Sequence, residues 1–110
     1  MMVCLFCKIL KKEIPANVVY EDDIIIAFKD IKPIAPIHIL IIPKKHINSL
    51  ADIKIEDVDL IGKLMLTAKK IAEDFNIAQK GYKLVMRVGK DGGQEIDHIH
   101  LHLLGGVKNV

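Results

Sequence analysis

A chain of 110 residues with a formal charge of +2 is too short for several domains and too evenly charged for electrostatic docking on nucleic acid or membrane. Hydrophobic residues make up 51% and charged residues 27%, which excludes a disordered chain and supplies a modest core without disulfides. With no Trp, two Tyr and three Phe, the chain also lacks platforms on which successive bases stack.

The start, Met1-Met2-Val3-Cys4, has no basic run followed by an apolar one. The longest apolar stretch, Ile34 to Pro43, is interrupted by Pro36 and His38 and is far short of a bilayer span. The expectation is one cytoplasmic domain over 1–110, with neither membrane nor nucleic acid as partner.

Leu5 to Lys12 predicts a short helix with Leu5, Phe6, Ile9 and Leu10 on one stripe, ended by Pro15. Val18 to Glu21 and Ile24 to Phe28 predict a hairpin around the acidic turn Asp22-Asp23. Pro33 and Pro36 keep the next loop extended, and His38 to Ile42 is a buried strand stopped by Pro43. A long helix runs from about Ile55 to Phe75, because Val58, Ile61, Leu64, Met65, Ala68, Ile71, Ala72 and Phe75 recur at steps of three and four. Tyr82 to Val88 is a strand, Gly89 to Gly93 a glycine-rich loop, and His98 to Leu104 the last strand before Gly105-Gly106. Antiparallel strands plus one long helix make an α+β domain.

The last strand carries the chemistry. In His98-Ile99-His100-Leu101-His102-Leu103-Leu104, strand alternation puts the histidines on one face, about 7 Å apart, and the aliphatic residues on the other. Collinear ligands on a straight strand cannot converge on one ion at about 2 Å, which argues against a tri-histidine metal site. Imidazole is a nucleophile near neutral pH, and a neighbouring imidazole can move a proton or steady a charge. At the other end, Cys4-Leu5-Phe6-Cys7 reads either as a pair of buried thiols or as half of a zinc site needing two more ligands. No βαβ context supports a thioredoxin-like redox pair.

The pattern His-φ-His-φ-His-φ-φ resembles the signature of the histidine-triad (HIT) family of nucleotide hydrolases and transferases. The likeness covers nearly the whole chain. It takes in Cys4 to Lys8, Lys12-Glu13-Ile14-Pro15-Ala16, Tyr20-Glu21-Asp22-Asp23, Ala27-Phe28-Lys29-Asp30-Ile31, Ala35-Pro36-Ile37-His38, Ile42-Pro43-Lys44-Lys45-His46-Ile47 and Gly92-Gly93-Gln94. The ending Leu104-Gly105-Gly106 is similar to the Hint branch rather than the Fhit branch.

The resemblance implies a HIT-like fold, its antiparallel sheet continued across a homodimer that pairs helices and last strands. It implies that His100 attacks the α-phosphorus of a purine nucleotide of AMP type to form a nucleotidyl-histidine, with His102 and His38 around the phosphate. Asp30 would accept the ribose hydroxyls. Phe6, Ile9, Ile14, Phe28 and Ile31, with Leu5, would form the base pocket, and Gly93 and Gln94 the turn beside the phosphate. Arg87 and Glu95 depart from the residues usual near the leaving group. An arginine favours an anion there, a glutamate a cation. Zinc-containing relatives pair the cysteines with a histidine after Pro-Lys-Lys and with the first triad histidine. The matching set is Cys4, Cys7, His46 and His98, one structural zinc per chain with no catalytic metal. The implied activity is a nucleoside phosphoramidase cleaving P–N, or less readily P–O, bonds. The alternatives are a dinucleoside polyphosphate hydrolase and a nucleotide-binding module with little turnover.

Overall fold

Two adjacent runs of β-branched and aromatic residues form the middle of the structure, a computed structural model that describes residues 4–110. The reading of the chain's start at Met1 to Val3 lies outside the described residues. The elements are α1 (Leu5–Leu10), β1 (Val18–Glu21), β2 (Ile25–Lys29), β3 (Ile37–Pro43), two 3-10 turns at Leu50–Asp52 and Ile55–Asp57, α2 (Val58–Asp74), β4 (Lys83–Val85) and β5 (Leu101–Gly105). All pairings are antiparallel, in the order β1-β2-β3-β5-β4. The expected α+β architecture is present.

The hairpin forms where expected. Asp22 Oδ1 accepts the backbone N–H groups of Ile24 and Ile25, each at 2.8 Å, which closes the turn. The Tyr20 hydroxyl donates to Asp22 Oδ2, and this bond does most to hold the carboxyl well below its usual range.

Side-chain alternation divides the sheet into two faces. Ile25, Ala27, Ile39, Ile41, Leu101 and Leu103 pack with Leu64, Ala68, Ile71 and Ala72 of α2. Ile26, Phe28, Leu40 and Ile42 pack on the other side around Phe6 of α1. The register Leu40↔His102 and His38↔Leu104 places both histidines on the α1 side.

Several boundaries differ from expectation, each for a local reason. α1 stops at Leu10, well before Pro15. Lys12 takes a φ of 61°, its N–H bonds to the Ile9 carbonyl, and the Glu13 N–H returns to Lys8. That is a Schellman stop. α2 ends the same way at Asn76, φ 60°, and its expected first turn is the 3-10 turn at Ile55–Asp57. Val58 and Met65 do not join the core stripe: they stand on the solvent side, 57% and 46% exposed.

The last strand begins at Leu101, not His98, and β4 spans three residues rather than the expected run to Val88. The Ile99 N–H bonds to the Ile47 carbonyl at 2.7 Å and the His98 N–H to Ile96 at 2.8 Å. These bonds pull the chain away from β4 and end the ladder. Nor is β5 an edge. It lies between β3 and β4, so among the described residues the free edges are β1 and β4, and a second copy could extend the sheet through one of those edges but not through β5.

Candidate active site and metal centre

Only His102 of the histidine run lies within β5. His98 and His100 precede it in an irregular stretch, which bends the three rings out of line. His100 and His102 have ring centroids 5.0 Å apart, while His98 turns toward α1 and packs edge-on to Phe6 at 5.8 Å. In place of the expected straight row, the rings divide between two groups of neighbouring side chains.

The first group is imidazole chemistry. His100 is 6% exposed, and its Nδ1 lies 2.7 Å from the His98 carbonyl. A carbonyl only accepts, so Nδ1 carries the proton and Nε2 keeps a free lone pair. Phe6 packs edge-on to the same ring at 5.1 Å and sets its plane.

His38 belongs to the same group. Its Nδ1 accepts the Ile34 N–H at 3.2 Å, so its Nε2 is protonated. That Nε2–H lies 3.0 Å from His102 Nδ1 and 3.3 Å from Asp30 Oδ2. His102 Nδ1 must then accept, which leaves Nε2–H as a donor on a half-buried ring. Asp30, His38 and His102 are close enough to resemble a metal site. The backbone N–H on His38 opposes that, because it keeps the inward nitrogen protonated. Asp30 Oδ1 meanwhile accepts the Lys32 N–H at 2.8 Å, which fixes the carboxylate.

Burial holds these rings neutral. Desolvation lowers the pKa of His38 against the pull of Asp30, and of His100 against its bond to His98. It lowers His102 to about 4, with His100 and His38 adding repulsion. Unfolded histidines titrate near 6.5, so the unfolded chain binds more protons between about pH 6.5 and 4. Stability is present above about 6.5 and lost as pH falls through that window. Urea unfolding across this range is expected to give a midpoint that drops steadily with pH. A flat profile would contradict neutral rings.

The second group is Cys4, Cys7, His46 and His98, whose ligand atoms all lie within 4.8 Å of one another. His98 Nδ1 is 3.4 Å from Cys4 Sγ and 3.7 Å from Cys7 Sγ, and His46 Nδ1 is 3.2 Å from Cys7 Sγ. Both rings carry their proton on the far nitrogen. His98 Nε2–H donates to the Pro43 carbonyl at 2.8 Å, and His46 Nε2–H to Asn48 Oδ1 at 2.7 Å. Two thiols and two inward lone pairs, with their outer protons held, form a donor set that fits a tetrahedral metal ion. Pro43 and Asn48 were not legible in the sequence as supporting residues. Only the position of Asn48, two after His46, hinted at it.

The remaining expected site residues divide. Phe6 and Phe28 meet edge-on at 5.5 Å beneath the histidines. Ile9 and Ile14 line a cleft of about 260 Å³ that reaches Glu21 and Ile26 rather than the triad. Ile31 is 87% exposed in the loop after Asp30. Gln94 is occupied in its own turn: its carbonyl oxygen accepts the Gly89 N–H, and its amide donates to the Asn48 and Ile96 carbonyls. Gly93 has a φ of +81°, and a side chain on Gly92 would strike the Val88 backbone, so this turn requires both glycines. Arg87 and Glu95 are exposed at the rim, near enough to act on His102 and His100 respectively.

The α+β domain thus presents one imidazole with a free nitrogen, an imidazole pair behind it and a carboxylate alongside. The chain is a member of the HIT family, whose HIT domain model matches residues 11–109. It is 49% identical over 102 residues to the purine nucleoside phosphoramidase of Escherichia coli (strain K12), covering 93% of this chain and 86% of that protein. Protein HitA of Neisseria gonorrhoeae is likewise 49% identical over 102 residues, with 93% and 94% covered. Among solved structures, a HIT family hydrolase from Legionella pneumophila Philadelphia 1 superposes with a TM-score of 0.95 at 52% identity, over 98% of this chain and 96% of that one. A histidine triad protein from Clostridium difficile superposes with a TM-score of 0.95 at 44% identity, over 100% and 96%.

Proposed function

We propose that the chain hydrolyses P–N bonds, and less readily P–O bonds, at the α-phosphate of purine nucleoside monophosphate derivatives. The free Nε2 of His100, secured by the proton held on the His98 carbonyl, carries this reading. The name of the Escherichia coli relative supports it. His100 Nε2 forms the N–P bond as the bond to the leaving nitrogen breaks. The departing amine takes that electron pair and the proton on His102 Nε2. Water then opens the nucleotidyl-histidine and returns a proton to His102, so one water is consumed and an amine and a nucleoside monophosphate leave. His38 fixes the orientation of His102.

Asp30 accepts the ribose hydroxyls, while Phe6, Ile9, Ile14, Phe28 and Ile31 contact the base. Gly93 and Gln94 hold the turn beside the phosphate, with Arg87 and Glu95 at its rim. Cys4, Cys7, His46 and His98 hold one zinc ion, which supplies a closed structural cross-link, and no metal takes part in catalysis. Residues 1–110 act as one cytoplasmic domain. Among the described residues no helix is long and apolar enough to cross a membrane. Ile55, Val58, Met65 and Leu66 form an exposed apolar stripe, 86%, 57%, 46% and 68% accessible, which supports a homodimer through α2 and the open β4 edge. Sedimentation at micromolar concentration is expected to give twice the chain mass. A monomer would refute that pairing.

The decisive experiment is rapid mixing with an adenosine phosphoramidate followed by intact-mass and peptide analysis. A nucleotidyl adduct on the peptide containing His100 is the expected result. Turnover with an adduct elsewhere, or with none at any time, would overturn the mechanism.

A further inference from the structure

Of the sixteen lysine and arginine residues in this chain, one is an arginine, Arg87. Its position is determined by the sheet. β4 pairs Val85 with His102 in antiparallel register, and Arg87 follows two residues after that last pair, close enough for its charge to act on His102. Leu84 and Met86 pack into the core on the α2 side, so the alternation persists and Arg87 stands on the histidine face. Its side chain runs over Gly93. A Cβ there would lie 3.5 Å from Arg87 Cδ and 3.6 Å from Nη1. Among the described residues, no carboxylate lies within 4 Å of the guanidinium.

The strand order then separates two sides of the reacting phosphorus. β3, with His38 and neighbouring Asp30, lies on one flank of β5, and β4 leads to Arg87 on the other. On the reading that Asp30 takes the ribose, the nucleoside occupies the β3 flank and the leaving group the β4 flank. Arginine meets an oxyanion with a rigid two-pronged fork, which the lysines used elsewhere in the chain do not supply. Glu95, exposed on the same rim, repels a multiply charged phosphate more than a singly charged carboxylate.

We propose that Arg87 is a specificity-determining residue that selects leaving amines carrying a carboxylate next to the scissile nitrogen, making amino-acid phosphoramidates the favoured substrates. This rests on the hydrolase reading above and deepens it. The covalent steps are unchanged: the carboxylate stays on the departing amine and takes no part in bond breaking.

The test compares kcat/KM for the adenosine phosphoramidates of glycine and of glycinamide, which differ by one charge at nearly equal size. The native protein is expected to favour glycine by about tenfold or more, the usual worth of a charged, two-pronged hydrogen bond. Arg87→Ala is expected to bring the ratio near one, and Arg87→Lys to restore part of it. A ratio near one in the native protein, or one kept by Arg87→Ala, would overturn the proposal. Diadenosine tetraphosphate provides a third arm. Its cleavage in preference to the glycine compound would mean that the oxyanion Arg87 meets is a phosphate, again overturning the carboxylate assignment. Failure of the parent reading looks different: no compound is cleaved and no adduct forms on His100, and both readings then fall.

Discussion

His100→Ala is expected to lower the rate of nucleotide release by at least about 10³-fold, the scale on which loss of a covalent nucleophile is felt. No other imidazole can take its place. His102 has its Nδ1 engaged with His38, and His38 is held between Ile34, His102 and Asp30. His98 presents its lone pair to the two cysteines and its proton to Pro43. The substitution leaves the His98 carbonyl without its partner and a gap beside Phe6, so stability should fall by about 1–3 kcal/mol without loss of the fold. His102→Ala is expected to cost less, about 10²- to 10⁴-fold, because it removes a proton donor rather than the attacking group. Single-turnover kinetics with circular dichroism on both variants checks this ordering. Retention of more than about a tenth of the native rate by His100→Ala would be incompatible with covalent catalysis at that residue.

Much of this arrangement was legible before any coordinates, because alternation is a two-residue rule that needs only local sequence. His38 and His102, the apolar strands around them and the Asp22 turn all follow from it. The tautomers did not. They depend on backbone groups: the His98 and Pro43 carbonyls and the Ile34 N–H have no side-chain signature. The same blindness explains the misjudged last strand. Its first three residues have strand character, but the Ile47 carbonyl, fifty-odd residues earlier, takes the Ile99 N–H. Val58 and Met65 fit the helical period yet face outward, since the period marks an apolar face without saying whether this chain or another covers it.

The Cys4, Cys7, His46 and His98 cluster, which could hold a metal ion, is where this coupling through the backbone has its largest expected consequence. Removing the metal by chelation, or its ligands by Cys4→Ser with Cys7→Ser, is expected to lower the unfolding temperature by about 10–20 °C, on the basis of a few kcal/mol for a domain of this size. The native protein, purified without added metal, should carry about one zinc per chain. Burial raises the pKa of the Cys7 thiol, and the hydrogen bond its S–H donates to the Cys4 sulfur adds to it, so without metal this sulfur stays protonated. Binding must therefore expel protons, and affinity falls as pH falls. The effect should also reach the nucleophile. His98 joins the cluster through Nδ1 while its carbonyl holds the His100 proton, and Phe6, between the two cysteines, packs on both rings. A stripped protein should thus bind nucleotide but form the His100 adduct more slowly than the loaded one. Metal content near zero in the native protein, with unfolding unmoved by chelator, would reduce the four residues to a buried polar cluster.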